Sequence, residues 1–263
     1  MLLTIEAELD YAIEEPSTVS LRLEVADLPD QTVLESALTL PDPSEPVQQA
    51  GTDGVGRRAW VEVGGGALKC RYQARVRVER PASDLRAARW VPFAELPPEA
   101  AKYLVGSRYC QSDLFEPFVA SEFGRYHGGE KIAAMRDWIE TSFDYVRGSS
   151  DETTTVVDTF VRRQGVCRDY AHVMVTLARA ARFPARAVSV YAPDVTPQDF
   201  HAVAEIYVGD EWRLVDATGM AAPDTIARIA VGYDAADIDF MTTYGPPGLE
   251  PELRAQRVKV SRE

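Results

Sequence analysis

The strongest constraint on this chain is a change in the period of its apolar residues. Leu3, Ile5, Ala7, Leu9, Tyr11 and Ile13 alternate with polar residues, as do Val19, Leu21, Leu23 and Val25, and later Cys70, Tyr72, Ala74, Val76 and Val78. Successive side chains of a strand point to opposite faces, so a period of two predicts strands with one buried face. Pro41-Asp42-Pro43 and Gly51-Thr52-Asp53-Gly54 separate these runs with turn-forming residues. An antiparallel sandwich-like unit over residues 1–98 is the expected result. Arg71, Arg75 and Arg77 fall on the outer, solvated face of one of its strands. Beyond the proline-punctuated stretch from Pro92 to Pro98 the period becomes helical. Ile132, Met135, Ile139 and Phe143 lie on one stripe and predict a helix over residues 129–146, opening a second unit over residues 99–263.

Composition bounds the rest. A chain of 263 residues with 46% apolar content can bury two modest cores. No run is long enough to span a bilayer, and Met1-Leu2-Leu3-Thr4-Ile5-Glu6 turns acidic too early for a signal peptide. Three cysteines, an odd number, give no disulfide framework, so the reducing cytoplasm is the expected compartment. The net charge of −13 argues against nucleic acid or an anionic membrane as partner. Oligomeric state leaves no mark in the sequence.

Cys167 stands where two helices are expected to meet. Upstream, Val156, Val157, Phe160 and Val161 follow helical spacing after the possible caps Asp151 and Thr153, and Gly165 is placed to end that helix. Downstream, Ala171, Met174, Leu177, Ala178 and Ala181 mark the buried stripe of a second helix, with Pro184 beyond its end. A thiol in the first turn feels the positive end of the helix dipole, which favours thiolate, and the free N–H groups there can hold an oxyanion. Strands are expected at residues 185–191, 201–208 and 211–218, the last two forming a hairpin around Gly209-Asp210. If Val208 faces Glu211, Val203 faces Asp216 and His201 faces Thr218, which sets Asp216 diagonally from His201 on one face of the sheet. A slip of one residue would separate them.

A thiol, an imidazole and a carboxylate are the groups needed to form a thiolate, carry its proton and hold the carrier in one tautomer. A single cysteine near a helix is more often a small buried hydrophobe, and a single strand histidine is more often structural. The ordered set with its flanking residues outweighs that reading. Cys167 and His172, five apart, lie on different helix faces, so no zinc site is expected from them. His127 and His172 read as structural or surface groups, Cys70 as strand core, and Cys110 receives no role.

These segments resemble the transglutaminase-like superfamily, a papain-related fold with a Cys, His, Asp order. The matching text is Gln164-Gly165-Val166-Cys167-Arg168-Asp169-Tyr170-Ala171, His201-Ala202-Val203-Ala204-Glu205 and Trp212-Arg213-Leu214-Val215-Asp216-Ala217-Thr218. The resemblance implies an α+β catalytic core with Cys167 as nucleophile, His201 as general base and Asp216 as its orienting partner. Val203 and Ala217 depart from the Trp and Pro frequent in the family at those places, a difference that bears on substrate fit. The implied activity is acyl transfer or hydrolysis at amide bonds of peptides or proteins through a thioester, with no cofactor. The oxyanion donors expected are the Cys167 backbone N–H and, from three residues upstream, the Gln164 side chain. A non-catalytic binding module on the same fold and an arylamine-type N-acyltransferase are the alternatives.

Overall fold

The computed structural model describes residues 1–40, 46–82 and 84–263. The expected turn at Pro41-Asp42-Pro43 lies outside the described residues. The chain opens with strands β1 (Leu2–Ile13), β2 (Ser17–Leu21), β3 (Gln31–Thr39), β4 (Val47–Ala50), β5 (Arg57–Val63) and β6 (Gly66–Val78). There follow α1 (Pro98–Ala101), α2 (Glu116–Phe123), α3 (Gly128–Ser142), β7 (Asp144–Tyr145), α4 (Val156–Arg162), β8 (Gln164–Gly165) and α5 (Cys167–Ala180). The remainder is β9 (Ala185–Tyr191), β10 (His201–Val208), β11 (Glu211–Val215), β12 (Ala227–Gly232), α6 (Ala235–Ile238), β13 (Met241–Tyr244) and β14 (Glu252–Arg262).

The alternating segments do form antiparallel strands, in two four-stranded sheets ordered β14-β1-β6-β3 and β13-β2-β5-β4. Leu3, Ile5, Leu9, Leu21, Leu68, Tyr72 and Val76 share the core between them. One part of the expected division differs. Residues 241–262, grouped by sequence with the second unit, supply β13 and β14 to the sheets of the first: Met241 pairs with Leu21 and Leu3 with Arg262. The outer arginines are solvated as expected, Arg71 beside Glu8 and Arg75 between Glu35 and Glu263.

The third sheet, β11-β10-β9-β12, packs against α5 through Ala185, Ala204, Ile206 and Val208 on the strands and Met174, Leu177 and Ala178 on the helix. Its strands are short and buried on both sides, which fits a layer covered twice. The second covering comes from the N-terminal unit. Gly56, at φ +71, brings its backbone so close to β12 that a Cβ would stand 2.0 Å from the Ile229 carbonyl oxygen. Asp53 in the same turn reaches Arg186 of β9 at 3.2 Å, and the Tyr103 hydroxyl donates to it at 2.8 Å.

Between these layers lies a buried ionic chain. Glu205, fully buried, accepts from Arg186 at 2.8 Å and from Arg228 at 2.7 Å, and Arg228 continues to Asp30. Gln31 fastens the same place, donating to the Ala26 and Arg228 carbonyls and accepting from the Arg228 N–H. Burial alone would raise the Glu205 pKa, but the two guanidiniums hold it below the usual carboxylate range. Removing one member of such a group strands a buried charge, so these contacts fix one arrangement of the N-terminal unit on the third sheet.

Candidate active site

Cys167 is the first residue of α5, as its flanking sequence predicts, and is partly exposed while most of the helix behind it is buried. The preceding helix ends differently from expectation. Thr155, not Asp151 or Thr153, caps α4, with its N–H and hydroxyl on Asp158. Arg163 closes that helix in the left-handed conformation, φ 58, and Gly165 sits beyond it in β8. Gly165 is needed for a different reason: a Cβ there would stand 2.7 Å from the Asp169 Cβ. Asp169, fully buried, accepts from the Val166 N–H at 2.8 Å and the Ser150 hydroxyl at 2.6 Å, so it ties the entry of α5 to the loop before α4. The carboxylate satisfies a donor the helix start leaves open and sets the angle at which Cys167 enters.

His201 opens β10 and is 2% exposed. The hairpin register is the expected one, Val208 opposite Glu211 and Ala204 opposite Val215. The strand, however, stops at Val215 and not at Thr218. Asp216 bends the chain away because its Oδ1 accepts from both the N–H (2.8 Å) and the hydroxyl (2.7 Å) of Thr218, a local turn that competes with the ladder. Its Oδ2 accepts from the Ala221 N–H at 2.9 Å and meets His201 Nε2 at 2.9 Å. Four interactions thus hold one buried carboxylate.

The electrostatics follow from that count. Burial disfavours charge on Asp216, yet His201 and the Thr218 donors keep its pKa below the ordinary value. Burial likewise acts to lower the His201 pKa, but the bonded Asp216 and the neighbouring Cys167 thiol outweigh it and push the value up to about 10. With Nε2 committed to Asp216, the buried Nδ1 has no hydrogen-bond partner among the described residues and is the ring atom left for the thiol. The thiol itself lies 4.0 Å from the Phe200 carbonyl oxygen, one residue before His201. The three residues named from sequence therefore converge, with the thiol at the solvent end of the line. Such an arrangement can form a thiolate–imidazolium pair and deliver a proton to a leaving group.

Gln164 is exposed on β8, opposite Asp144 of β7. The sequence reading missed Tyr145. The helical stripe predicts a helix running to residue 146, but α3 ends at Ser142 and Tyr145 pairs in parallel with Gly165. Burial and the neighbouring Cys167 thiol push the pKa of its hydroxyl well up. A strand of two residues has no period to detect, so only its aromatic type, 22 positions before the cysteine, marked it in the sequence. Among the described residues no group of three or more His, Cys, Asp or Glu side chains is arranged to hold a metal ion, and no helix is long and apolar enough to cross a membrane.

Comparison with known proteins places these features. Residues 117–217 match the model of the transglutaminase-like superfamily core. A candidate cysteine protease from Cytophaga hutchinsonii, of known structure, is 30% identical and superimposes with a TM-score of 0.93, covering 99% of this chain and 90% of that one. The periplasmic domain of TgpA from Pseudomonas aeruginosa is 16% identical with a TM-score of 0.47, over 84% and 91% of the two chains. An uncharacterised Mycobacterium leprae protein is 22% identical over 129 residues, so the match spans just under half of that curated relative, 46%, and 46% of this chain.

Proposed function

Because this chain belongs to the transglutaminase-like superfamily, we propose that it is a thiol-dependent enzyme acting on amide bonds of peptides or proteins through Cys167, His201 and Asp216. The observation that carries this reading is the line from an exposed-end thiol at a helix start, through an imidazole, to a carboxylate 2.9 Å from its far nitrogen. His201 takes the thiol proton, the sulfur forms a bond to the carbonyl carbon, and the C–N bond breaks as the imidazolium returns the proton to the departing amine. The thioester left on Cys167 is then opened by water or by a second amine, with His201 as base. Asp216 holds the imidazole in the tautomer this needs and stabilises its charged form. The backbone N–H of Cys167 serves the oxyanion. Three free cysteines fit a reducing compartment, which would keep the nucleophile as a thiol.

The test is the intact mass of the chain after exposure to an activated ester and to peptide libraries, with and without added amines. A thioester adduct on Cys167 is expected, absent in Cys167→Ala. Release of free acid marks a hydrolase, and transfer to the amine marks a transferase. No adduct under any condition would return the chain to the binding-module reading.

A further inference from the structure

Arg136 and Glu140 of α3 are four residues apart, the spacing at which opposite charges ordinarily pair along a helix. They do not pair. Arg136 turns its Nε and Nη2 to Asp137, and the Glu140 carboxylate makes no hydrogen bond or ion pair among the described residues. Both side chains line a cavity of about 440 Å³, whose other wall is the end of β11 with Arg213 and the turn from Gly219 to Pro223. The Arg213 side chain, 16% exposed, gives Nε to the Val208 carbonyl and Nη2 to Glu211. One guanidinium nitrogen, Nη1, is thus left over on each arginine. Glu140 rests on the turn itself: a Cβ at Gly219, φ +70, would stand 2.4 Å from its Oε1. Leu85, Leu214 and Ala222 supply apolar lining. Asp216 borders this cavity, but neither Cys167 nor His201 does.

Two guanidiniums with donors to spare, one unpaired carboxylate and an apolar lining complement a small molecule that carries both charges. A simple anion would meet Glu140 and a simple cation the two arginines, and like charge disfavours each. We propose that this cavity binds a small zwitterion, a free amino acid or dipeptide, with its carboxylate on Arg136 and Arg213, its ammonium on Glu140 and its apolar body over Leu85 and Leu214. The site is separate from the thiol, so its ligand binds whether or not Cys167 reacts. It shares a wall with the triad all the same, because the turn that Glu140 rests on supplies the Ala221 N–H to Asp216 Oδ2 at 2.9 Å.

The test uses the full chain carrying Cys167→Ala, in which no amide can be turned over at the thiol, titrated with L-alanyl-L-alanine and followed by backbone amide NMR shifts. Saturable shifts are expected at Leu214, Gly219 and Ala221. The N-acetylated dipeptide lacks the ammonium and the dipeptide amide lacks the carboxylate, and each should bind about tenfold more weakly, the cost of one charge-assisted contact. Paired substitutions assign the two ends. Glu140→Gln should weaken the dipeptide about tenfold and leave the N-acetylated form as it was, whereas Arg136→Gln should weaken the dipeptide by a similar factor and leave the amide as it was. Shifts that rise linearly without saturating, or that cluster away from Gly219 and Ala221, would overturn the proposal. Equal affinity for the dipeptide and its two capped forms would do the same. Because the thiol is absent, these outcomes leave the thiol-enzyme reading untouched, and a failure of that reading leaves this site standing.

Discussion

Two constellations of cysteine, histidine and aspartate lie along α5, and their surroundings treat them differently. At the exposed end are Cys167, His201 and Asp216. In the interior are Cys110, His172 and Asp234, whose thiol points at the His172 carbonyl oxygen at 3.7 Å. There His172 stacks on Tyr109, ring centroids 5.3 Å apart, and its Nε2 accepts from the Ala235 N–H. Asp234 serves two backbone N–H groups, of Tyr109 and Ala236, and makes no bond to the ring. Burial therefore drives His172 down to about 3 and the Cys110 thiol up to about 12. The same burial acts on His201, where a directly bonded carboxylate reverses it. Residue type does not separate the two groups. What separates them is whether the carboxylate also bonds the imidazole, and whether the thiol can be reached.

The largest contrast concerns accessibility. Iodoacetamide should label the folded chain at Cys167 alone, and Cys167→Ala should abolish labelling, while Cys110 and Cys70 become reactive only in denaturant. Labelling of folded Cys167→Ala would break the comparison. Next in size, His201→Ala should slow labelling at neutral pH by about 10²- to 10⁴-fold, the usual range for a positioned base. His172→Gln should leave the rate unchanged. Asp216→Asn should lie between the two, and combining it with His201→Ala should add little to the latter, since groups acting as a unit are not additive.

The two histidines should also tilt the stability curve at opposite ends. A His201 value of about 10 against an ordinary 6.5 means that its contribution is complete below pH 6.5 and is lost as pH rises through about 10. His172, lowered to about 3, makes the unfolded chain bind a proton the folded one refuses, so stability is lost as pH falls from 6.5 toward 3. Urea midpoints against pH should show a flatter alkaline limb for Asp216→Asn and a flatter acid limb for His172→Gln. Coincident curves for parent and variants would refute the assignment. The smallest effect belongs to Cys110→Ala, which should cost about 1 kcal/mol in urea unfolding and leave labelling of Cys167 as it was.

What could be read from the chain was whatever repeats or sits in a fixed local frame. The alternation of Leu3 to Ile13 and the spacing around Met174 and Leu177 translate directly into β1 and α5, and strand arithmetic from Gly209-Asp210 gave the pairing of β10 with β11. Misreadings occurred where a side chain overrides local propensity. Gly165 looks like a helix stop, yet its lack of a Cβ makes room for Asp169. Thr218 looks like strand, yet its N–H and hydroxyl turn the chain at Asp216. Tyr145 and the Asp30, Arg228, Glu205, Arg186, Asp53 chain depend on partners far away in sequence, so no local window contains them.

The pairing of β14 with β1 carries a consequence for synthesis. Leu3 and its partner Arg262 are far apart in sequence, so β1 leaves the ribosome long before the strand that pairs with it. At about 5–20 residues per second the interval is roughly 10–50 s. Through that time β1 can pair with β6 on one side while its other edge stays open, a bare row of donors and acceptors able to recruit any extended chain nearby. Lys259 and Arg257 later seal this edge opposite Glu6 and Glu8. Until they arrive, Glu6, opposite the uncharged Gln73 of β6, is a charge on that edge that disfavours pairing between nascent copies.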